Sequence, residues 1–274
     1  MPTNIDRLRT RFIEYIINET PTVRTLIFRD KQAARAKPGQ FLMVWIPGKE
    51  ELPMSAMVVQ GKEDYAAVTI RKYGFGSTSL YEKETGEYLG VRGPYGNEFK
   101  ISKNSENVLL IGGGTGLVPL MRLLRELNNA KIACTFLIGA KSQEEVFFEN
   151  TAETFLDRVD HKVIVSTDDG SYGRKGYTTD IMTDLIKTET FDAVYTCGPE
   201  IMMKKVLDIA SARSIPVQAS VERHMKCGIG ICASCCIADQ LVCKDGTIFE
   251  GNQLQSMVEF GVSYKDKAGR RMKF

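Results

Sequence analysis

Cys227, Cys232 and Cys235 are separated by four and then two residues, and Cys243 follows after seven more. Cys236 adds a fifth cysteine to this seventeen-residue stretch, out of seven in the 274-residue chain. The C-x4-C-x2-C…C order is the plant-type 2Fe–2S ligation pattern. Two irons bridged by two sulfides need four thiolates converging on one compact group. Gly228 and Gly230 let the backbone wrap it, because glycine accepts positive φ and has no Cβ to collide. The same loop brings backbone N–H groups to the sulfurs, which helps set the potential. A structural zinc site usually shows two C-x2-C pairs or Cys/His mixtures, and here there is one such pair. A disulfide framework suits small secreted chains, whereas this chain is long, has an odd cysteine count and opens Met1-Pro2-Thr3-Asn4 without an export signal. Cys236 directly follows a ligand, so its side chain is expected to point away.

Redox chemistry of this kind needs a scaffold, and the chain divides into two rhythms ahead of the cysteines. Residues 5–100 read as short strands rich in Ile, Val, Phe and Thr: Arg11–Asn18, Val23–Phe28, Phe41–Ile46, Ala66–Lys72 and Tyr88–Arg92. Pro-Gly and similar turn signals bound them, which predicts a small antiparallel barrel. Between two of them lies Arg71-Lys72-Tyr73-Gly74-Phe75-Gly76-Ser77-Thr78, glycines followed by hydroxyls at a helix start. Such a turn can cradle phosphate, although taken alone it reads first as an ordinary glycine turn.

From Asn107 the order changes to strand, loop, helix. Val108–Ile111 is a continuous apolar strand, Gly112-Gly113-Gly114-Thr115-Gly116 a glycine loop, and Leu117–Leu127 a helix with leucines on one face. Counting from Gly114, Pro119 replaces the third glycine of the dinucleotide fingerprint, and proline suits a first helical turn. Strands are expected at Lys131–Ile138, Val163–Ser166, Ala193–Tyr195 and Val217–Ser220, with helices Glu144–Leu156, Thr179–Ile186 and Glu200–Ala212 between them. This alternation predicts a parallel α/β sheet. In such sheets the ligand crevice lies beyond the carboxyl ends of the strands. The loops there are Gly112–Gly116, Gly139–Ser142, Thr167-Asp168-Asp169-Gly170 and Thr196-Cys197-Gly198-Pro199. Four loops with Gly or small polar residues at one edge point to a dinucleotide crevice.

The gross numbers narrow the classes. A hydrophobic share of 43%, 26% charged residues and a net charge of +2 describe an ordinary globular chain, with no reason to expect nucleic acid or a membrane as partner. The longest apolar run, Val108–Met121, holds four glycines and is too short to span a bilayer. Free thiols without an export signal suggest the cytoplasm. With only His161 and His224 as histidines and no nucleophile–base pair visible, hydrolytic chemistry is not expected, and no residue is assigned as an acid or base catalyst.

Taken together, the chain resembles the ferredoxin–NADP reductase-like flavoprotein superfamily. Within it, the chain is similar to the iron–sulfur electron-transfer subunits of NAD-linked dihydroorotate dehydrogenase. The resemblance covers nearly the whole chain and rests on Gly114–Pro119, Thr167–Gly173, Cys197-Gly198-Pro199 and Glu222–Phe249. It implies an FAD-binding β-barrel over residues 1–102, an NAD-binding α/β domain over 103–219 and a 2Fe–2S subdomain over 220–274. Cys227, Cys232, Cys235 and Cys243 are the implied ligands. Flavin domains of this superfamily carry an Arg at the position of Leu52, on the flavin pyrophosphate. Here Pro53 and Ser55 keep the motif's shape without the Arg, so pyrophosphate binding falls to Gly76, Ser77 and Thr78 with Arg71. Gly112, Gly114, Thr115, Gly116, Asp168, Cys197 and Gly198 are the implied nicotinamide-nucleotide residues. Lys141 could meet a 2′-phosphate, but the resemblance favours NAD.

Nicotinamide takes two electrons as a hydride and a 2Fe–2S cluster passes one at a time, so a flavin belongs between them. The implied partner is an FMN-containing dihydroorotate dehydrogenase catalytic subunit, in a heterotetramer of two plus two chains serving pyrimidine biosynthesis. Docking is expected around Met225, Ile229 and Ile231 on the cluster loop, although the same side chains could pack beneath the cluster. Competing functions are a homologous subunit of sulfide dehydrogenase or ferredoxin–NADP transhydrogenase, and a redox-sensing module.

Overall fold

The structure is a computed structural model that describes residues 5–156 and 161–274. Met1–Asn4, from which the lack of an export signal is read, lie outside the described residues. The first unit contains β1 (Arg9–Thr20), β2 (Val23–Arg29), the short helix α1 (Lys31–Ala34), β3 (Phe41–Trp45), β4 (Glu51–Ser55) and β5 (Met57–Val58). It closes with β6 (Tyr65–Arg71), helix α2 (Phe75–Tyr81) and β7 (Tyr88–Tyr95). The strands pair antiparallel in the order β4-β3-β7-β1-β2-β6-β5, and the sheet curls until β4 lies against β6. Inward residues such as Ile13, Leu26, Phe28, Leu42, Val68, Ile70 and Leu89 fill the barrel. The strands expected from sequence are present; β4 and β5 were not among them. Pro53 sits inside β4, which it can do because β4 is an edge strand.

The second unit begins with β8 (Asn107–Gly113) and a tight turn at Gly114–Gly116 that leads into α3 (Leu117–Ala130). It continues through β9 (Ala133–Ala140), α4 (Glu149–Phe155), β10 (His161–Thr167), β11 (Arg174–Lys175) and α5 (Thr178–Thr188). Then come β12 (Ala193–Cys197), α6 (Glu200–Ser211) and β13 (Val217–Ser220). The strand order β11-β10-β9-β8-β12-β13 is parallel throughout. Val108, Leu109, Leu110 and Ile111 of the central strand are all buried, as a strand covered on both faces requires. The expected helix over 144–156 is broken. A single turn at Gln143–Glu145 precedes α4, because Phe147 and Phe148 both turn into the core, edge to face at 4.7 Å. The strand expected from Lys131 starts at Ala133, because Lys131 closes α3 in the left-handed region, φ 59°.

After Ser220 the chain forms the cysteine loop with a two-residue hairpin, β14 (Cys236–Ile237) and β15 (Gln240–Leu241). It then returns to the large sheet as β16 (Ile248–Glu250), antiparallel to β13. Helix α7 (Gly251–Ser256) and a hairpin of β17 (Ser263–Lys265) and β18 (Arg271–Lys273) complete the described chain.

Two polar contacts set the barrel against the sheet. The buried guanidinium of Arg122 on α3 donates to the carbonyls of Ala34 (3.1 Å), Ala36 (2.8 Å), Ala56 (2.9 Å) and Met57 (2.9 Å). Asn97, just after β7, accepts from Ile248 N–H at 2.8 Å and donates to the carbonyls of Asp245 and Ile248. Among the described residues, no helix is long and apolar enough to cross a membrane.

Candidate functional site

The cysteine loop is held on the barrel wall. Arg92 of β7 pairs through two nitrogens with Glu51, at 2.8 and 2.6 Å, and donates to the Cys227 carbonyl at 3.1 Å. Gly228 and Gly230 have φ of 72° and 81°. A Cβ at Gly228 would also stand 2.7 Å from Met43 of β3, so both the turn and the close approach require glycine here. The four thiols lie within one another's influence: Cys227 acts on Cys232, and Cys235 and Cys227 both act on Cys243. Two thiolates per iron is the demand of a two-iron cluster. No three His, Cys, Asp or Glu side chains among the described residues converge as they would on a single ion.

Backbone N–H groups point at the sulfurs. Ile229 and Ile231 donate to Cys227 Sγ at 3.5 and 3.3 Å, Gly230 to Cys243 Sγ at 3.2 Å, and Cys243 to Cys235 Sγ at 3.4 Å. Donors of this kind stabilise thiolate charge. Ser234 lowers the pKa of the exposed Cys232 thiol, whereas burial raises that of Cys243. Cys236 lies apart from this arrangement, its Sγ accepting from Lys265 Nζ at 3.0 Å.

Three cavities adjoin one another at the junction of barrel, sheet and cysteine loop. The largest, about 750 Å³, is bordered by Pro53, Ser55, Thr69, Arg71, Ser77 and Met225 among others. A second of about 720 Å³ runs over Gly113–Gly116, Gly198-Pro199 and Arg223, under the β17–β18 hairpin. The third, about 370 Å³, lies between Gly113-Gly114, Lys141, Glu145 and Asp168. These volumes are in the range of cofactor and coenzyme sites. Arg71 and Pro199 border all three. Asp168 has its pKa raised, first by burial and then by Asp169 and Glu145, while Lys141 opposes the rise. Glu222 borders both larger cavities, and the walls around its carboxylate raise its pKa above the ordinary value.

Most residues singled out from the sequence meet here; a few lie behind the walls. Gly76 packs against the Glu50 carboxylate and Thr78 follows on the next turn; only Ser77 of that group borders the large cavity. Gly112 lies beneath the crevice, where a Cβ would stand 2.7 Å from Leu117. Cys197 is fully buried, and burial followed by Glu222 raises its thiol pKa well above normal, so Gly198 presents that turn to the crevice. Leu52, where the resemblance implies an arginine, packs against the barrel core. Met225 was expected on an exposed docking face, but it is buried and borders the large cavity. Ile229 and Ile231 do reach solvent, at 38% and 77% exposure. Sequence reasoning assigned no site role to Glu222 and Arg223, whose place in the walls depends on how the last segment folds back.

Residues 110–208 match the oxidoreductase NAD-binding domain, and residues 222–255 match the iron–sulfur cluster binding domain of dihydroorotate dehydrogenase B. A probable dihydroorotate dehydrogenase B (NAD(+)) electron transfer subunit from Methanocaldococcus jannaschii is 41% identical over 264 residues, spanning 95% of this chain and 96% of that protein. The chain belongs to the family of dihydroorotate dehydrogenase B electron transfer subunits. A Pyrococcus furiosus member is 39% identical over 243 residues, 89% of this chain and 91% of that protein. Among solved structures, one described as an NADH-dependent reduced ferredoxin–NADP oxidoreductase matches with a TM-score of 0.79 and 27% identity, over 88% of each chain. A ferredoxin–NADP reductase from Neisseria gonorrhoeae shares the fold at a TM-score of 0.64, covering 75% of this chain and 91% of that one. As a member of this family the chain is an oxidoreductase component with an NAD-binding domain and an iron–sulfur domain. Its family name makes it one subunit beside a catalytic partner.

Proposed function

We propose that this chain carries electrons from the FMN-bearing catalytic subunit of dihydroorotate dehydrogenase to NAD+, within pyrimidine biosynthesis in the cytoplasm. Cys227, Cys232, Cys235 and Cys243 would hold a 2Fe–2S cluster. Pro53, Ser55, Gly76, Ser77, Thr78 and Arg71 would hold FAD in the large cavity. Gly112, Gly114, Thr115, Gly116, Asp168, Cys197 and Gly198 would form and support the NAD site. The cluster supplies one-electron transfer, the flavin converts between one and two electrons, and the nicotinamide takes a hydride.

One observation carries the reading. Met225, two residues before Cys227, borders the large cavity, and that cavity shares Arg71, Thr115 and Pro199 with the glycine-loop crevice. Three redox groups would therefore stand in the order their electron counts demand. The chain's own residues orient and shelter them; Ile229 and Ile231 are the apolar side chains beside the cluster that are left to meet a partner. A two-plus-two assembly with the catalytic subunit would bury that face.

The test is to mix the chain with the FMN subunit and follow NADH formation from dihydroorotate. Turnover should require both chains; dihydroorotate oxidation by this chain alone would overturn the assignment. The likeness to the ferredoxin–NADP oxidoreductase favours one alternative, transhydrogenase service on the same scaffold. It would show as NADPH formation from reduced ferredoxin in the absence of dihydroorotate. Rapid NADH oxidation with an artificial acceptor would exclude a purely sensory module.

A further inference from the structure

Arg71 leaves the end of β6 in the barrel and crosses to the α/β unit, where its Nη2 lies 3.0 Å from Glu145 Oε1. Its Nη1 lies 4.0 Å from where a Cβ would stand on Gly114 of the glycine loop. It is the one charged residue that borders all three cavities. The ion pair with Glu145 is a weak tether. Both side chains are about one-third exposed, at 37% and 31%, and pairs so open to solvent hold weakly. A pyrophosphate offers the same fork more negative charge and two-point geometry, the stronger of the two interactions. Other cations near the crevice are differently placed: Arg223 is buried against Glu200, Lys265 and Lys267 border only the second cavity and meet Cys236 and Glu50, and Lys141 and Lys205 border only the smallest cavity.

We propose that Arg71 is a pyrophosphate clamp stored on Glu145: a dinucleotide entering the crevice takes the guanidinium from the carboxylate. This rests on the reading of the cavities as dinucleotide sites and deepens it. The pyrophosphate can come from FAD or from NAD, and the experiment separates them.

Wild-type chain and the variants Arg71→Ala, Arg71→Lys, Glu145→Gln and Arg71→Ala/Glu145→Gln are purified with their cofactors. FAD affinity is measured by flavin fluorescence on dilution and NAD+ affinity by calorimetry. Arg71→Ala should weaken one dinucleotide, or both, by about ten-fold or more, the loss of a charge-assisted bond. Arg71→Lys should fall between, having lost the fork. Glu145→Gln should tighten the same dinucleotide by roughly 1.5- to 5-fold, the release of an exposed pair. In the Arg71→Ala background the Glu145→Gln gain should vanish. The clamp is overturned if Arg71→Ala leaves both affinities within about two-fold of wild type. It is equally overturned if Glu145→Gln tightens binding as much without Arg71, since that would be simple charge repulsion. A wild-type chain that binds neither dinucleotide would overturn the functional reading itself, a result distinct from both.

Discussion

Gly116→Ala isolates what the glycine loop is for. Gly116 has φ −63° and ψ −12°, ordinary helical values that alanine adopts freely, so backbone strain is not the issue. Space is. A Cβ at this position would stand 2.5 Å from the Cys197 carbonyl oxygen, 2.5 Å from Gly198 N and 2.6 Å from the Cys197 carbonyl carbon. These are backbone atoms at the end of a central strand, which cannot swing aside as a side chain would. Relaxing to ordinary contact at roughly 3.5 Å means parting the glycine loop from the Cys-Gly-Pro turn by about 1 Å. Overpacking of this kind costs about 1–3 kcal/mol, and a chain of this size loses roughly 2–4 °C of Tm per kcal/mol. The expected result by scanning calorimetry is a Tm lowered by about 2–12 °C. NAD+ affinity should fall about ten-fold, because both walls of the crevice move. Gly114→Ala is the internal comparison. Its φ is +55° and it has open space, so its cost is left-handed strain of about 1 kcal/mol. A Gly116→Ala chain melting within about 1 °C of wild type, or melting above Gly114→Ala, would refute the close-approach reasoning.

Protein prepared without oxygen should contain about two irons and two labile sulfides. Serine at Cys227, Cys232, Cys235 or Cys243 should impair assembly, serine at Cys236 should not, and stoichiometric zinc in the native protein would be the wrong answer. Glutamate at Ile229 and Ile231 should leave folding intact and lower the coupled rate about ten-fold or more; Met225→Glu should instead expel flavin, read by its absorbance, because it places a carboxylate in a buried cavity wall. Arg122→Leu should cost about 3 kcal/mol or more, since four carbonyls lose one charged donor, and should expose the Ala34–Met57 region to limited proteolysis. His224 has its pKa lowered by burial first and then by Lys267 and Lys226. The unfolded chain therefore binds the proton more readily, so stability present above about pH 6.5 is lost as pH falls through the folded-state value. His224→Gln should flatten that slope in denaturant titrations at pH 7 and pH 5.

The candidate cluster cysteines stand out in the sequence because cysteine spacing within one loop is local geometry: four residues, then two, with glycines between, already limit how four thiols can converge. The barrel and the parallel sheet were legible for the same reason, since alternation and continuous apolar runs are imposed by which faces each strand buries. The glycine loop was legible as a motif, but its chemistry divided differently from what the motif suggests. Gly114 is there for its φ, Gly116 for the approach of Cys197 and Gly198, and Gly112 for the packing of Leu117. What the sequence could not carry was anything set by long-range closure. Met225 and Ile231 are both apolar residues of one glycine-rich loop, and only the docking of that loop through Arg92, Asn97 and Thr247 turns one inward and leaves the other in solvent. Arg122 reads as a surface charge on a leucine-rich helix until the carbonyls of Ala34, Ala36, Ala56 and Met57 surround it. Glu145 meets Arg71 across 74 residues of chain for the same reason. Local sequence determines periodicity and ligand spacing, whereas the environment of a side chain is a property of the surfaces that fold against it.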